Sequence, residues 1–174
     1  SLVSTGIIIG HQDDPKIRDL QPAYQGPGYL ADDPNAQMAI GFDSENVQLQ
    51  SWLTLSDLGG ADSGNDCWGY VSPSGREYAL MGTSSGTAFV EITNPGSAQI
   101  VDIISGPNSL WRDIKTYQNY AYAVSEGGGG IQIFDLSNID NGVVQELNSA
   151  GSGSTHNVAI DTTSGYLYRT GGNG

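Results

Sequence analysis

The sequence has 174 residues, which is enough for one ordinary domain or for a piece of a larger protein. Its 6 Lys and Arg against 19 Asp and Glu give a formal net charge of −13, which argues against binding to nucleic acid or to an anionic membrane surface. Only 14% of the residues are charged and 25 are glycine, a composition that favours short strands joined by tight turns and is typical of a secreted or surface protein.

Residues 1–41 are predicted to form an irregular N-terminal arm, because four of the seven prolines lie within positions 11–37. The apolar segment Leu2–Ile9 is too short to cross a membrane. It could instead add as a strand to the sheet edge of another subunit. After the arm, residues 46–55 alternate apolar and polar side chains as a strand does. Their position suits the strand that closes the last sheet of a ring.

A glycine-rich loop between positions 56 and 66 concentrates carboxylates. Asp57, Asp62 and Asp66, together with Asn65, supply oxygen ligands of the kind that calcium prefers. Their spacing differs from that of an EF-hand loop, so solvated turn residues are the alternative interpretation. The same two interpretations apply to the acidic pairs nearer the N-terminus, Asp13-Asp14 and Asp32-Asp33.

The rest of the chain repeats with a period of about 44 residues. Gly86–Asn94 matches Gly130–Asn138, and in both segments an alternating strand runs into an acid, an aliphatic residue, a hydroxyl residue and Asn. Each repeat is predicted to hold an inner strand, a turn, a Tyr-bearing strand, a third strand that ends at an acid, and an outer strand. The inner strands begin at Trp68, Trp111 and His156, the third strands end at Glu91 and Asp135, and the outer strands lie near 99–104 and 143–147.

This period predicts an all-β protein, a β-propeller with four-stranded blades. Residues 42–174 then form a partial propeller, with the closing strand at 46–55, blade 1 at 66–105, blade 2 at 109–148 and the start of blade 3 at 154–174. A ring needs roughly four to eight blades. We therefore expect only the first two to three blades here, with the remaining blades elsewhere in the same protein. A small open β-sheet protein is the alternative.

Four motifs follow one another in a fixed order, at Asn65–Tyr70, Gly75–Leu80, Ser109–Lys115 and Thr155–Ile160. Together they resemble the LVIVD-repeat β-propellers called choice-of-anchor B proteins. The resemblance extends from Phe42 to the C-terminus. It implies a bacterial protein that is exported and attached to the cell surface through a C-terminal anchor, with a largely undefined biochemical activity.

Polar residues at the starts of the inner strands are candidates for a ligand site, because inner strands line the central channel of a propeller. His156 is the strongest candidate, since His is the commonest metal ligand. Asn157 follows it, and Arg112 and Asp113 occupy the matching positions of the preceding repeat. The alternative for His156 and Asn157 is hydrogen bonding to neighbouring blades. The alternative for Arg112 and Asp113 is a short-range ion pair or a role in capping the backbone.

Three further side chains are expected to be structural. Trp68 and Trp111 are predicted to pack between blades, with stacking on a sugar as the alternative. Cys67 cannot form an internal disulfide because it is the only cysteine, and a buried thiol is the default expectation.

The sequence lacks a nucleophile elbow and a phosphate-binding loop, which favours a non-enzymatic protein. We therefore predict an exported or cell-surface binding or structural module whose ligand is a glycan or a protein. One alternative is a subunit of an extracellular filament that assembles through strand addition. The other is an extracellular hydrolase or lyase with its site in the channel.

Overall fold

The computed structural model of the protein describes residues 26–36 and 45–173. This part of the chain holds β-strands and two short 3₁₀ turns, with no α-helix among its elements. The predicted all-β class is confirmed. The described strands form separate antiparallel sheets, none of which closes on itself. Within residues 26–36 and 45–173, no helix is long and apolar enough to cross a bilayer.

The first sheet has two very short strands, β1 (Tyr29–Leu30) and β2 (Ser51–Trp52). Strand β1 lies in the segment predicted to be irregular, and β2 is all that forms of the longer strand predicted over residues 46–55. Val47 at its start is 73% exposed, whereas Leu53 packs against a small core cluster that includes Ala88 and Val90. Leu2–Ile9 lies outside the described residues.

Two four-stranded antiparallel sheets and one hairpin follow in chain order. Their first strands begin at Gly64, Arg112 and Thr155, where Trp68, Trp111 and His156 were predicted. Strands β5 and β9 end at Glu91 and Asp135 as predicted, whereas β10 is shorter than predicted because it pairs only at Gln145 and Glu146. The first large sheet contains β3 (Gly64–Val71), β4 (Glu77–Thr83), β5 (Gly86–Glu91) and β6 (Gln99–Ser105). The second contains β7 (Arg112–Tyr117), β8 (Tyr120–Ser125), β9 (Ile131–Asp135) and β10 (Gln145–Glu146), and the hairpin contains β11 (Thr155–Asp161) and β12 (Tyr166–Gly172).

The two four-stranded sheets pack against each other through one apolar core. Phe89 of β5 and Phe134 of β9 are fully buried there, with ring centroids 5.2 Å apart in an edge-to-face arrangement. The hairpin packs on the second sheet in the same way, since Val158 of β11 contacts a smaller cluster around Val124 and Ile131. Successive sheets therefore lie face to face along the chain.

A 3₁₀ turn after β9, Ile139–Asn141, contacts the β3–β4 hairpin of the first large sheet. The Asp140 carboxylate accepts hydrogen bonds from the Tyr78 hydroxyl at 2.6 Å and from the Ser72 hydroxyl at 3.1 Å. The Arg76 guanidinium donates to the Asp140 carbonyl. Burial and the hydrogen bond to Asp140 raise the pKa of Tyr78 well above its usual range.

We expect the Asp140→Asn variant to lose less stability in acid than the native protein. Hydrogen bonds from the hydroxyls of Tyr78, Ser74 and Ser72 lower the pKa of Asp140 below the ordinary value of 3.8. A lowered pKa in the folded state contributes stability above pH 3.8 that is lost as the pH falls through the folded pKa. Urea denaturation at pH 7 and pH 3 measures the difference, and equal acid losses in both proteins would contradict this role for Asp140.

Candidate functional site

The candidate site lies where three edge strands, β3, β7 and β11, run beside one another. Each of the first two strands presents an aspartate to the next. Asp66 Oδ2 accepts the backbone N–H of Ile114 at 3.1 Å, and Asp113 Oδ2 accepts that of Val158 at 2.7 Å. The same contact therefore joins the first large sheet to the second, and the second to the hairpin.

A small cavity of about 130 Å³ opens between these three strands. The structure brings the four predicted ligand-site residues together at this cavity, although their role in binding a ligand stays a prediction. The sequence did not assign Asn65, Asp66 and Trp111 to this site. The cavity is lined by Asn65, Asp66, Trp111, Arg112, Asp113, His156 and Asn157.

Lys115 of β7 lies between the two aspartates of the cavity. Its ammonium contacts Asp113 Oδ1 and lies 3.3 Å from Asp66 Oδ2. Burial is the largest influence on Asp113 and raises the pKa of its carboxyl above the ordinary range. Burial acts in the same direction on Asp66, but hydrogen bonds with Asp113, the Ile114 N–H and Lys115 outweigh it and lower the pKa. The two neighbouring carboxyls therefore have pKa values shifted in opposite directions.

The guanidinium of Arg112 makes all of its described hydrogen bonds where the two large sheets meet. Arg112 is only 2% exposed, and burial lowers the pKa of its guanidinium. It donates to the carbonyl of Thr83 at 3.1 Å, to that of Pro107 at 2.7 Å and to Gln132 Oε1 at 3.1 Å. Two of these acceptors are backbone carbonyls, as expected for the backbone-capping alternative, so Arg112 is a positioning residue of the cavity wall.

His156 also contacts the neighbouring sheet. Its Nδ1 lies 2.8 Å from Glu126 Oε1, in the loop after β8. The imidazole packs edge-to-face on Trp111, with the ring centroids 5.6 Å apart. This arrangement fixes the orientation of the imidazole at the cavity.

The three carboxylates proposed as calcium ligands contact different partners. Asp57 Oδ2 accepts hydrogen bonds from the backbone and hydroxyl of Thr54, at 2.8 and 2.7 Å. Asp66 faces Lys115, whereas Asp62 lies in a separate groove. In the part of the chain that the structure describes, no group of three or more His, Cys, Asp or Glu side chains is arranged to hold a metal ion.

Two structural predictions for the inner strands are wrong. Trp68 is 41% exposed rather than packed between sheets, and the Lys115 ammonium lies 4.3 Å from the centroid of its indole ring. Cys67 is exposed rather than buried. Both residues lie on the stretch of β3 around a register shift between Gly64 and Cys67, where strict alternation of inward and outward side chains is interrupted.

Comparison of the chain with protein-family models, with curated proteins and with solved structures finds no match to any of them. No family is assigned on this basis, and the resemblance to choice-of-anchor B propellers stays a prediction. The geometry of the inner strands is therefore the main guide to function.

Proposed function

We propose that this chain is part of an exported β-propeller of the choice-of-anchor B type, which binds a glycan or protein ligand at the cell surface without transforming it. The order of strands within each sheet and the sequence motifs support this proposal. The cavity between β3, β7 and β11 is its ligand site.

The repeated aspartate contact is the observation that carries the proposal. Asp66 binds the backbone of the second sheet as Asp113 binds the backbone of the hairpin. A fixed relation between each sheet and the next, applied repeatedly about an axis, generates a propeller. It also keeps the polar residues of successive inner strands together, which is the arrangement that a ligand site in a channel requires.

The contacts of the cavity residues favour binding over catalysis. Each aspartate holds a backbone N–H and contacts Lys115, while His156 contacts Glu126. A general acid or base needs an oxygen or nitrogen that can reach the substrate proton. Here those atoms are engaged in contacts between sheets, whereas Asn157 lines the cavity and is exposed.

An extracellular hydrolase is the second candidate, because two carboxyls with opposite pKa shifts share one cavity. The pKa of Asp113 is raised and that of Asp66 is lowered, a separation typical of a proton donor beside an acceptor. The filament alternative depends on Leu2–Ile9, which the structure does not describe.

Tryptophan fluorescence tests the binding function, since Trp111 forms part of the cavity wall. We expect soluble bacterial surface polysaccharides or peptides that bind to change the emission of the full chain. Titration calorimetry compares the variants, because Trp111→Phe removes the fluorescent reporter. Trp111→Phe should weaken binding about tenfold, which corresponds to roughly 1.4 kcal/mol. Trp52→Phe is the matched control, because Trp52 lies in the short β1–β2 sheet and should bind normally.

The two candidate functions differ in what happens to the bound compound. A ligand recovered unchanged supports the binding module. If the native protein hydrolyses chromogenic glycosides or esters and Asp113→Asn does not, the chain is a hydrolase and the binding-module proposal is wrong. If Trp111→Phe binds the ligand with unchanged affinity, the ligand does not bind in the cavity between β3, β7 and β11.

A further inference from the structure

The cavity between β3, β7 and β11 is called the inner-strand cavity below. A larger concavity of about 580 Å³ lies beside it, and we call this concavity the serine groove. It is bounded by the loop before β3, the two-residue turn between β4 and β5, and the loop before β7. The side chains that matter here are Asp62, Ser63, Ser84, Ser85, Asn108 and Leu110. Its volume falls within the range of about 300–1,000 Å³ that is typical of small-molecule sites.

Backbone hydrogen bonds hold the walls of the serine groove in place. Ser84 in the central turn donates its N–H to the Ser63 carbonyl at 2.9 Å and accepts the Ser109 N–H at 2.9 Å. The Ser85 carbonyl accepts the Gly106 N–H, also at 2.9 Å. The turn is thereby tied to both flanking loops. A site that is already ordered loses little conformational entropy when a ligand binds.

Several polar side chains in the groove have hydrogen-bonding capacity left. The side chains of Asp62, Ser63, Ser85 and Asn108 make no hydrogen bond within the described part of the chain. Hydroxyl and amide groups both donate and accept, whereas the Asp62 carboxylate only accepts. The groove therefore presents a mixed set of donors and acceptors on fixed backbone positions.

The charge of the groove restricts the ligands that suit it. None of the described residues that line it is Lys or Arg, and Asp62 is its charged side chain. With the net charge of −13, this disfavours phosphate, sulfate and acidic sugars. Leu110, which is 40% exposed, adds an apolar surface beside the hydroxyls. A neutral sugar matches this combination, because it offers hydroxyls that donate and accept together with apolar C–H faces.

We propose that the serine groove is a second binding site, which takes a neutral oligosaccharide unit. The Asp62 carboxylate accepts from sugar hydroxyls, Ser63, Ser85 and Asn108 complete the polar contacts, and Leu110 contacts the sugar ring. The site is distinct from the inner-strand cavity. The hydrogen bond from Asn65 Nδ2 to the Leu110 carbonyl, at 2.6 Å, connects a residue of one site to a residue of the other.

Amide NMR on the full ¹⁵N-labelled chain tests this site, with maltose, cellobiose and chitobiose as the probes. We expect at least one of these sugars to shift the amides of Ser84, Ser85 and Ser109 in a saturable manner. Asp62→Ala should weaken that affinity by about tenfold or more, since it removes charge-assisted hydrogen bonds. Ser85→Ala is the second variant, in case loss of Asp62 alters the loop, and it should weaken binding several-fold.

Glu77→Gln is the matched control, because Glu77 is an exposed carboxylate on β4 away from the groove, and it should leave the affinity unchanged. Three results would overturn the proposal: no shift with any sugar, shifts at Val158 without shifts at the groove, or groove shifts with Ca²⁺ or a diamine alone. The second result would still agree with ligand binding at the inner-strand cavity, so failure of this site is distinguishable from failure of the proposed function.

Discussion

Replacing Phe134 with Ala is expected to lower the free energy of unfolding by about 3–5 kcal/mol. Phe134 lies on β9, is fully buried and packs edge-to-face on Phe89 of β5, so its ring belongs to the core shared by the two large sheets. Removal of the ring loses both the burial of apolar surface and the contacts on the far side of the resulting cavity. Urea denaturation of the native and variant proteins measures the change.

The Phe134 result can be assigned to the interface between sheets by two comparisons. Tyr166→Ala removes a side chain that is 67% exposed on β12, and we expect a change within about 0.5 kcal/mol. Phe89→Ala combined with Phe134→Ala should be non-additive by about 0.5–1.5 kcal/mol, because the rings contact each other. A loss below about 1 kcal/mol in Phe134→Ala would mean that the two sheets do not share a core.

The strands could be predicted from the sequence because their signals are local. The strand ending at Glu91 and the one ending at Asp135 each show alternating apolar residues followed by turn residues, within about ten positions. Gln118-Asn119 marks the hairpin between β7 and β8, and Gln118 has a positive φ of 52°. A strand also needs a partner strand of matching length, and the similar pattern over residues 46–55 yields only Ser51–Trp52, which pairs with the two-residue strand Tyr29–Leu30.

The site could be predicted only in part, because its contacts join residues that are distant in sequence. Asp66 and Ile114 are separated by 48 positions, and nothing adjacent to Asp66 distinguishes it from the other acids of its loop. Its assignment to a calcium loop therefore missed its role between strands. Burial of Arg112 depends on acceptors from Thr83, Pro107 and Gln132, three segments whose meeting place the sequence does not specify.

The serine groove could not be predicted from the sequence, because loops and a turn form its walls. Ser84 and Ser85 have the composition of any polar turn, and so do the loop residues around Asn108. The concavity exists because β3 and β7 start beside each other, which places both preceding loops against one turn. Such a surface depends on the packing of sheets, whereas the sequence pattern reports on the strands within each sheet.

Replacing Asp113 with Ala is expected to destabilise the protein by about 2–3 kcal/mol and to loosen the β11–β12 hairpin. The substitution leaves the Val158 N–H without its acceptor and the Lys115 ammonium without its nearer carboxylate. The charge contribution is reduced because the raised pKa of Asp113 shows that burial already opposes its ionised form. Hydrogen exchange at the Val158 amide reports the loosening directly, and we expect it to be at least tenfold faster.

Asp113→Asn separates the two contributions, because its amide oxygen can still accept the Val158 N–H while the charge facing Lys115 is lost. If the hydrogen bond between strands dominates, exchange at Val158 in Asp113→Asn should stay close to that of the native protein, and most of the stability should return. If Asn and Ala are equally destabilising, the ion pair with Lys115 is the essential contact. Unchanged exchange at Val158 in Asp113→Ala would show that the aspartate does not join the sheets, and the repeated contact on which the propeller proposal depends would be lost.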